Sequence, residues 1–316
     1  MSDSEVTSPE PGRPVEDIKA VPVRRPGRWI AAFIVVVVAA SIVRSIVTNE
    51  NFQWGTVWHF LGDPRLLHGI VVTLYLTALS MVIGVVLGVL LAVMRLSPNP
   101  IVKGASWLYI FFFRGTPLLV QIIFWFNISA LFQPGGLIGL GVPFGPDLVH
   151  LNANSVITPI GAALLALGLN EGAYMAEIVR AGIISVDEGQ SEAASSLGMG
   201  RLQTMRHVVL PQAMRVILPP TGNETISMLK NTALASVIAV PELLFAGQGI
   251  YSSNFQTIPL LIDVSIWYLL MTSVAYVGQF FLERNVSAGF SRHQQATMRE
   301  RWLSFGARGS AGGVAL

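Results

Sequence analysis

The sequence predicts an all-α integral membrane protein with six transmembrane helices and both termini on the inner side of the membrane. Of its 316 residues, 52% are hydrophobic and only 12% are charged, whereas a soluble domain carries about a quarter charged residues. Apolar runs of about 20 residues, long enough to span a bilayer, recur along the chain. Its 30 glycines and 18 prolines are also typical of membrane helices, which tolerate both better than soluble helices do.

The first 47 residues separate into a polar tail and an apolar helix. Residues 1–28 are rich in Pro, Glu and Arg and lack apolar periodicity, which predicts a disordered tail. Residues 29–47 are apolar and long enough to cross a membrane. A cleaved signal peptide is the alternative, but its basic leader is ordinarily much shorter than this tail. We therefore expect 29–47 to be an N-terminal transmembrane helix.

Five further spans are predicted from apolar runs that polar or Gly/Pro-rich segments separate. The second span contains Gly84 and Gly88, a small-residue face suited to close contact between helices. Residues 101–113 are predicted to form an interfacial or obliquely entering helix that leaves Arg114 near the lipid headgroups. A loop rich in glycine and proline is expected over 134–155. The five spans are expected at about 69–94, 117–133, 156–181, 221–246 and 258–283.

The distribution of basic residues predicts the orientation. The chain has 20 Lys and Arg residues, and with the N-terminus inside nearly all of them lie in inner segments or at their edges. Arg44 and Arg65 fall on the outer side, and Lys230 falls within a span. This is the excess of inner positive charge found in membrane proteins. The predicted inner segments are 1–28, 95–114, 180–217 and the tail 286–316.

The polar loop 182–220 is predicted to fold as two short helices joined by a glycine turn. Ser185 and Glu188 have the spacing of a capping box at a helix start. Gly198 stands where a helix end favours a left-handed residue. A second helix, over about 200–209, is expected to stop before Pro211. From this spacing alone, a hairpin that only connects two spans and one that binds a partner are equally well supported.

The spacing of residues in this loop continues into a longer pattern. Glu192-Ala193-Ala194 is followed by Gly198, six positions after the glutamate, and then by Leu210-Pro211. This pattern resembles the EAA loop of ABC importer membrane subunits. Further segments resemble the polar amino-acid uptake permeases of the histidine/glutamine type. They are FRGTPLLVQ (113–121), NEGAYMAEIVRAGI (170–183), SVDEGQSEAA (185–194), LPQAMRVILPPTGNE (210–224) and LKNTALASVIAV (229–240).

The resemblance covers about 69–285 and implies the five-helix core of a type I ABC importer permease, to which helix 29–47 is an addition. It implies that the loop 182–220 docks on a separate ATPase subunit and transmits the ATPase cycle to the membrane helices. The residues that it assigns to this coupling are Gln190, Glu192, Ala193, Ala194, Gly198, Leu210 and Pro211.

The resemblance also implies partners and a location. One such chain is half of a pore, so a second copy forming a homodimer, or a paralogous permease, is expected. An extracytoplasmic solute-binding protein, ABC ATPase subunits, an amino-acid substrate and surrounding membrane lipids complete the expected system, in a bacterial inner membrane. Nucleic acid is not expected, because the net charge of +2 is small and the basic residues follow membrane topology.

Motifs for catalysis are missing from the sequence. It has no G-x-x-x-x-G-K-[ST] loop for nucleotide phosphates and no G-x-S-x-G nucleophile motif. The five histidines are scattered without metal-binding spacing, and there is no cysteine. We therefore expect no cofactor or metal in this chain, no enzymatic activity of its own, and ATP with Mg²⁺ on the partner ATPase.

Ionisable and amide residues inside the predicted spans are the substrate-site candidates, because such residues are costly in a membrane. On the fourth span, Asn170, Tyr174 and Glu177 share one helical face, and Glu177 can pair with Arg180. Hydrogen bonding between helices is the alternative role. For the lysine of the fifth span, pairing with a glutamate or extension to the membrane surface are further alternatives. The candidates are Asn170, Glu171, Tyr174, Glu177 and Lys230.

Two further acidic positions are predicted near the outer face. Pro241-Glu242 is expected to bend the end of the fifth span and to form part of an external gate. Asp263 is expected to open the sixth span at the outer surface, where it would contact either a binding protein or substrate.

A stand-alone secondary transporter or channel, or a membrane-anchored assembly factor, is the alternative function. The EAA spacing argues against both, and secondary transporters usually show more spans or inverted repeats.

Overall fold

The computed structural model describes residues 26–131, 137–141, 147–152 and 157–287. The helices are α1 (Pro26–Thr48), α2 (Trp54–Phe60), α3 (Pro64–Arg95), α4 (Pro100–Gly115), α5 (Leu118–Phe126), α6 (Pro159–Ile184), α7 (Glu188–Ser196), α8 (Arg201–Thr204), α9 (Leu210–Asn231), α10 (Leu243–Asn254) and α11 (Thr257–Ser287). The strands are β1 (Leu137–Gly141) and β2 (Asp147–Asn152). The predicted all-α fold is thus confirmed for the described residues except for this one hairpin.

The N-terminal helix α1 belongs to a unit separate from residues 49–291. It is apolar over the 22 residues 27–48, long enough to cross a membrane. This agrees with the span predicted at 29–47. Most of the predicted tails 1–28 and 286–316 lies outside the described residues.

In the second unit, three helices can each cross a membrane alone: α3, α6 and α11. Two further crossings depend on bent helix pairs, so the described residues contain four candidate spans, or six if each pair counts as one. The helices α3 and α6 correspond to the spans expected at 69–94 and 156–181, and α11 to the one at 258–283.

The third span expected at 117–133 is not one continuous helix. The helix α5 has only nine residues, and it meets α4 at an angle of 100°. The break lies at Thr116, whose backbone is extended (φ −109°, ψ 141°) because it precedes Pro117. The segment predicted as an interfacial helix and the predicted span therefore form one sharply bent pair.

A short antiparallel hairpin replaces part of the loop expected over 134–155. Leu137 pairs with Asn152 at one end, and the register shifts at Leu140 and Gly141. These strands were not predicted, because a run rich in glycine and proline carries little strand propensity.

The helices α3 and α6 form the centre of the second unit. A Cβ atom at Gly84 would overlap the side chain of Glu171, and one at Gly88 would overlap Met175. The predicted small-residue face is therefore confirmed as a close helix contact.

At the start of α3, Asp63 accepts a hydrogen bond from the Arg65 amide at 2.8 Å, and the Arg65 side chain holds the pKa of this carboxyl below its usual value.

The bend predicted at Pro241 and Glu242 is present, at 45° between the two arms of the fifth span. A 3₁₀ segment, Thr232–Ile238, extends α9 to this break. The Glu242 carboxylate caps α10 by accepting hydrogen bonds from the amides of Leu244 (2.9 Å) and Phe245 (2.7 Å). The Tyr268 hydroxyl donates to it at 2.8 Å. Glu242 is completely buried, so in this chain it stabilises the bend from inside.

The surface position expected for Asp263 is wrong. Its side chain has 0% relative exposure, and neither carboxylate oxygen has a hydrogen-bond partner among the described residues. The sequence could not show this burial, because it depends on packing: α11 packs against α2 and α10, and the neighbouring Leu260 and Val264 belong to a buried apolar cluster that also includes Leu66.

Candidate functional site

A cavity of about 530 Å³ lies where the α4–α5 bend meets α6 and α9. We call it the central cavity. Its polar lining comes from elements far apart in sequence, which places one guanidinium and two carboxylates around one space. The lining residues are Arg114, Gly115, Thr116, Pro117, Leu118, Asn170, Glu171, Tyr174, Glu224, Asn231 and Leu234.

Glu171 is the most buried charged residue of this cavity, with 3% relative exposure. Its Oε1 atom has no hydrogen-bond partner among the residues that the structure describes. The missing side chain of Gly84 makes room for its Cβ and Cγ atoms against α3. A buried carboxylate without a partner is costly, so this atom is available to a ligand that carries a hydrogen-bond donor or a positive charge.

Asn170 is committed to the protein backbone. Its Nδ2 atom donates to the Phe113 carbonyl at 2.8 Å and lies 3.4 Å from Oε1 of Gln121. Gln121 in turn donates to the Phe113 carbonyl (3.0 Å) and to Oγ1 of Thr116 (2.8 Å). These contacts satisfy carbonyl groups that the α4–α5 break leaves without helical partners. Asn170 therefore holds the bend against α6.

Arg114, which was expected near the lipid headgroups, lines the central cavity. Its Cζ atom is 5.0 Å from the centre of the Tyr174 ring, which is a cation–π distance. Glu224, in the second half of α9, lines the same cavity. Neither Arg114 nor Glu224 was among the predicted substrate-site residues. The signal that could have identified Arg114 is its place directly before the Gly-Thr-Pro break of a spanning pair.

A second cavity of about 350 Å³, which we call the inner cavity, contains Glu177. Glu177 is ion-paired with Arg180, whose Nη2 atom lies 2.6 Å from Oε2 of the glutamate. Arg114, Tyr174 and Glu224 line both cavities. The other lining residues of the inner cavity are Ile178, Ala181, Val216 and Pro220.

Lys230 lines neither of these cavities and is exposed. Its neighbour Asn231 lines the central cavity instead. Consecutive helical residues point about 100° apart, so the structure separates two neighbours that the sequence could not. Of the five substrate-site candidates, it brings Asn170, Glu171 and Tyr174 together and places Glu177 in the adjoining space.

The predicted loop helices form a compact unit over residues 188–209, which we call the EAA hairpin. Its first helix, α7, ends in a Schellman turn: the Gly198 amide donates to the Ser195 carbonyl (3.0 Å) and the Met199 amide to that of Ala194 (3.1 Å). Gly198 has φ +80°, as expected from its position. The predicted capping box is wrong, because Asp187 caps α7 whereas the Ser185 hydroxyl donates back to Gly182. Asp187 lies closer to the helix start, so its side chain reaches the Gly189 amide.

The second arm of the hairpin does not stop before Pro211. The short helix α8 continues through a π-helical turn, Met205–Val209, directly into α9. The Leu210 amide donates to the Met205 carbonyl, five residues back. Widening the turn accommodates a proline that lacks an N–H and would otherwise crowd the carbonyl four residues back.

The predicted coupling residues differ in exposure. Gln190, Glu192, Ala193 and Gly198 are exposed on the hairpin, whereas Ala194 is 4% exposed and packs inward. Leu210 and Pro211 are exposed at the start of α9. Two large apolar side chains on this hairpin, Leu197 and Leu202, were not among the predicted coupling residues and are 83% and 80% exposed. In the described parts of the chain, no group of three or more His, Asp or Glu residues is placed to hold a metal ion.

Comparison with known proteins identifies the family. Residues 84–288 match the model of the "Binding-protein-dependent transport system inner membrane component" family. The arginine transport system permease protein ArgU of Corynebacterium glutamicum is 48% identical over 278 residues, which are 87% of this chain and 85% of that protein. The glutamine transport system permease protein GlnP of Escherichia coli K12 is 34% identical over 225 residues, 71% of this chain and 93% of that one.

A solved crystal structure shares the fold. It is that of an amino acid ABC transporter with histidines, and it superimposes with a TM-score of 0.59 at 36% sequence identity. The match covers 70% of this chain and 94% of that chain. The bent α4–α5 pair and the EAA hairpin both lie within residues 84–288, the range that the family model matches. This multi-pass chain therefore belongs to the family of inner membrane components of binding-protein-dependent transport systems.

Proposed function

We propose that this chain is the permease subunit of an ATP-driven importer of polar amino acids and forms half of its translocation pore. The observation that carries the proposal is the central cavity, in which Arg114 lies among two carboxylates, those of Glu171 and Glu224. A free amino acid carries a carboxylate and an ammonium group. The cavity offers groups of opposite charge to both, and its 530 Å³ volume is within the usual range of ligand sites.

The ammonium group of the cargo would bind at Glu171. Its buried Oε1 atom lacks a partner in the described structure, and an N–H donor there would offset part of the cost of burying the carboxylate. Glu224 stands across the same cavity and adds a second negative charge. Tyr174 supplies an aromatic surface. Within this proposal Asn170 positions the α4–α5 bend, and Glu177 acts further along the pathway.

The relatives support amino acids as the class of cargo. Two of them are named as arginine and glutamine permeases, and the related solved structure is an amino acid transporter with histidines. These three side chains are all polar, which agrees with the charged and amide side chains that line the cavity. The choice among them is open in the proposal.

The EAA hairpin would dock on a separate ATPase subunit, which binds ATP and Mg²⁺, while this chain carries no catalytic site. Its exposed residues Gln190, Glu192 and Ala193, the Gly198 turn and the apolar side chains of Leu197 and Leu202 supply the docking surface. The continuous helix from α8 into α9 connects this surface with Glu224 and Asn231 of the central cavity. Movement of the hairpin would thereby be transmitted to the cargo site.

The proposal includes further partners. A second copy of the chain would complete the pore as a homodimer, with a paralogous permease as the alternative. An extracytoplasmic solute-binding protein would deliver the amino acid. The two bent pairs complete six spans in the bacterial inner membrane, with both termini and the EAA hairpin in the cytoplasm and α1 as an accessory helix.

Reconstitution tests the proposal against a secondary transporter or channel. The permease, its ATPase and its binding protein are placed in liposomes, and ATP hydrolysis and uptake are measured with a panel of amino acids. We expect a polar amino acid to stimulate both, and Glu171→Gln to raise the KM for uptake by about 10-fold or more, since it removes a charged partner. Uptake that needs only an ion gradient, or that continues without ATP, would contradict the importer.

A further inference from the structure

The central and inner cavities follow one another along two helices. On α6 the lining passes from Glu171 to Ile178, seven residues or about 10 Å closer to the EAA hairpin. On α9, which leaves the hairpin, the lining passes from Asn231 back to Val216 in the same direction. Both helices thus place the inner cavity between the central cavity and the end of the molecule that carries the hairpin.

Arg114 lies at the boundary between the two cavities and lines both of them. Among the described residues, it is the one basic residue in either lining. Arg114 forms no hydrogen bond or ion pair with any described residue; its contact is with the Tyr174 ring. In contrast, Arg180 near the inner cavity is held by Glu177. A carboxylate in either cavity therefore has one available cationic partner, and it is the same residue.

The contact with Tyr174 leaves Arg114 free to bind. A guanidinium on an aromatic ring uses its flat face, whereas its five N–H donors point outward in the plane of the group. A carboxylate accepts two of these donors at once. Arg114 is also the second-last residue of α4, which ends at Gly115 before the break at Thr116, so its long side chain is not confined by a following helical turn.

We propose that Arg114, seated on Tyr174, is the carboxylate-binding residue of both cavities and passes the carboxylate of the cargo from the central cavity to the inner one. The inner cavity is then a second binding site on the exit pathway, where Arg114 holds the carboxylate and Glu224 the ammonium group. This inference rests on the proposed amino-acid import. It adds that a single side chain serves two successive sites.

The passage avoids a stage in which the carboxylate loses all partners. Arg114 keeps its two hydrogen bonds while its side chain turns across the Tyr174 ring, and Glu224 faces both spaces. The pairing of Glu177 with Arg180 removes a competing free carboxylate from the vicinity of Arg114 in the inner cavity. Loss of Arg114 should therefore affect both the binding of cargo and its subsequent movement.

The test uses the reconstituted complex with L-arginine and L-argininamide, which differ only at the carboxylate. If the wild-type complex prefers another amino acid, that amino acid and its carboxamide are used instead. For Arg114→Gln we expect a KM for the acid about 10- to 100-fold higher and a kcat about 10-fold lower, because a charge-assisted contact is lost at both sites. The preference of the wild type for the acid over the amide should disappear. Lys103→Gln, which removes a positive charge from the same helix outside both cavities, is the matched control.

The outcomes separate the inference from the function. A higher KM with unchanged kcat would overturn the passage between sites, since Arg114 would then act in one cavity only. Unchanged KM, kcat and acid preference would overturn the role of Arg114 altogether while leaving import intact. If wild-type complex takes up no amino acid, the proposed function itself fails, and the inference falls with it. If Arg114→Gln does not assemble, Arg114→Lys is measured instead. It keeps the charge but not the planar fork, so it should change KM and kcat in the same directions by smaller factors.

Discussion

The Gly198 turn allows a substitution whose cost comes from backbone conformation alone. Gly198 has φ +80°, and a Cβ atom added there would have nothing within 4 Å. Alanine therefore meets no steric obstacle but must adopt a left-handed backbone, which costs a residue with a side chain about 1–2 kcal/mol. We expect Gly198→Ala to destabilise the end of α7 by this amount, and Gly198→Asn by less, because asparagine tolerates the left-handed region better.

Hydrogen exchange followed by mass spectrometry measures this cost. The Gly198 and Met199 amides are held by carbonyls of α7, so their exchange reports opening of the turn. A loss of about 1–2 kcal/mol corresponds to opening about 5 to 30 times more frequent. Peptides that cover residues 188–204 should exchange faster by that factor in Gly198→Ala, while those from α6 should not change.

Gly200→Ala is the matched control in the same hairpin. Gly200 has φ −70°, and the nearest atom to an added Cβ is 3.9 Å away, so alanine fits without strain. We expect it to be neutral or slightly stabilising, since it restricts the unfolded chain. The reasoning is refuted if both alanine variants exchange alike, or if Gly198→Ala exchanges like the wild type.

Two further predictions concern helix packing and docking. Gly84→Ala should lower the thermal stability of the purified permease, at a cost of about 1–3 kcal/mol, because the added methyl group overlaps Glu171. Gly104→Ala, where the added methyl group has open space, should leave the stability unchanged. Equal melting temperatures of the two variants would contradict the close contact at Gly84. Leu197→Asp should abolish co-purification with the ATPase at unchanged melting temperature, because that side chain is 83% exposed. Ser195→Asp, two residues earlier at the end of α7, should weaken co-purification less. Full retention of the ATPase by Leu197→Asp would exclude this side chain from the docking surface.

Local sequence signals predicted several features of this chain correctly. Hydrophobic run length and composition predicted long apolar helices at α1, α3, α6 and α11. The Gly84/Gly88 pair predicted a close contact, and Gly198 predicted a left-handed helix end. Each of these depends on residues within a few positions of one another or on the chemistry of a single residue, which a sequence contains completely. The EAA spacing led to the family for the same reason.

The tertiary structure decided which polar residues meet. Asn170 reaches the Phe113 carbonyl across 57 positions, and the Leu243 amide donates to Thr73 across 170; no local pattern encodes such partners. Asp263 was misplaced because its burial depends on which helices pack nearby. Pro211 was expected to end a helix, but a π-turn relieves the missing N–H within a continuous helix. The chain's own sequence therefore determined its long apolar helices and the helix–turn–helix form of its EAA hairpin. Only the three-dimensional packing of α4, α6 and α9 formed the central cavity, because its charged residues come from helices that the sequence keeps far apart.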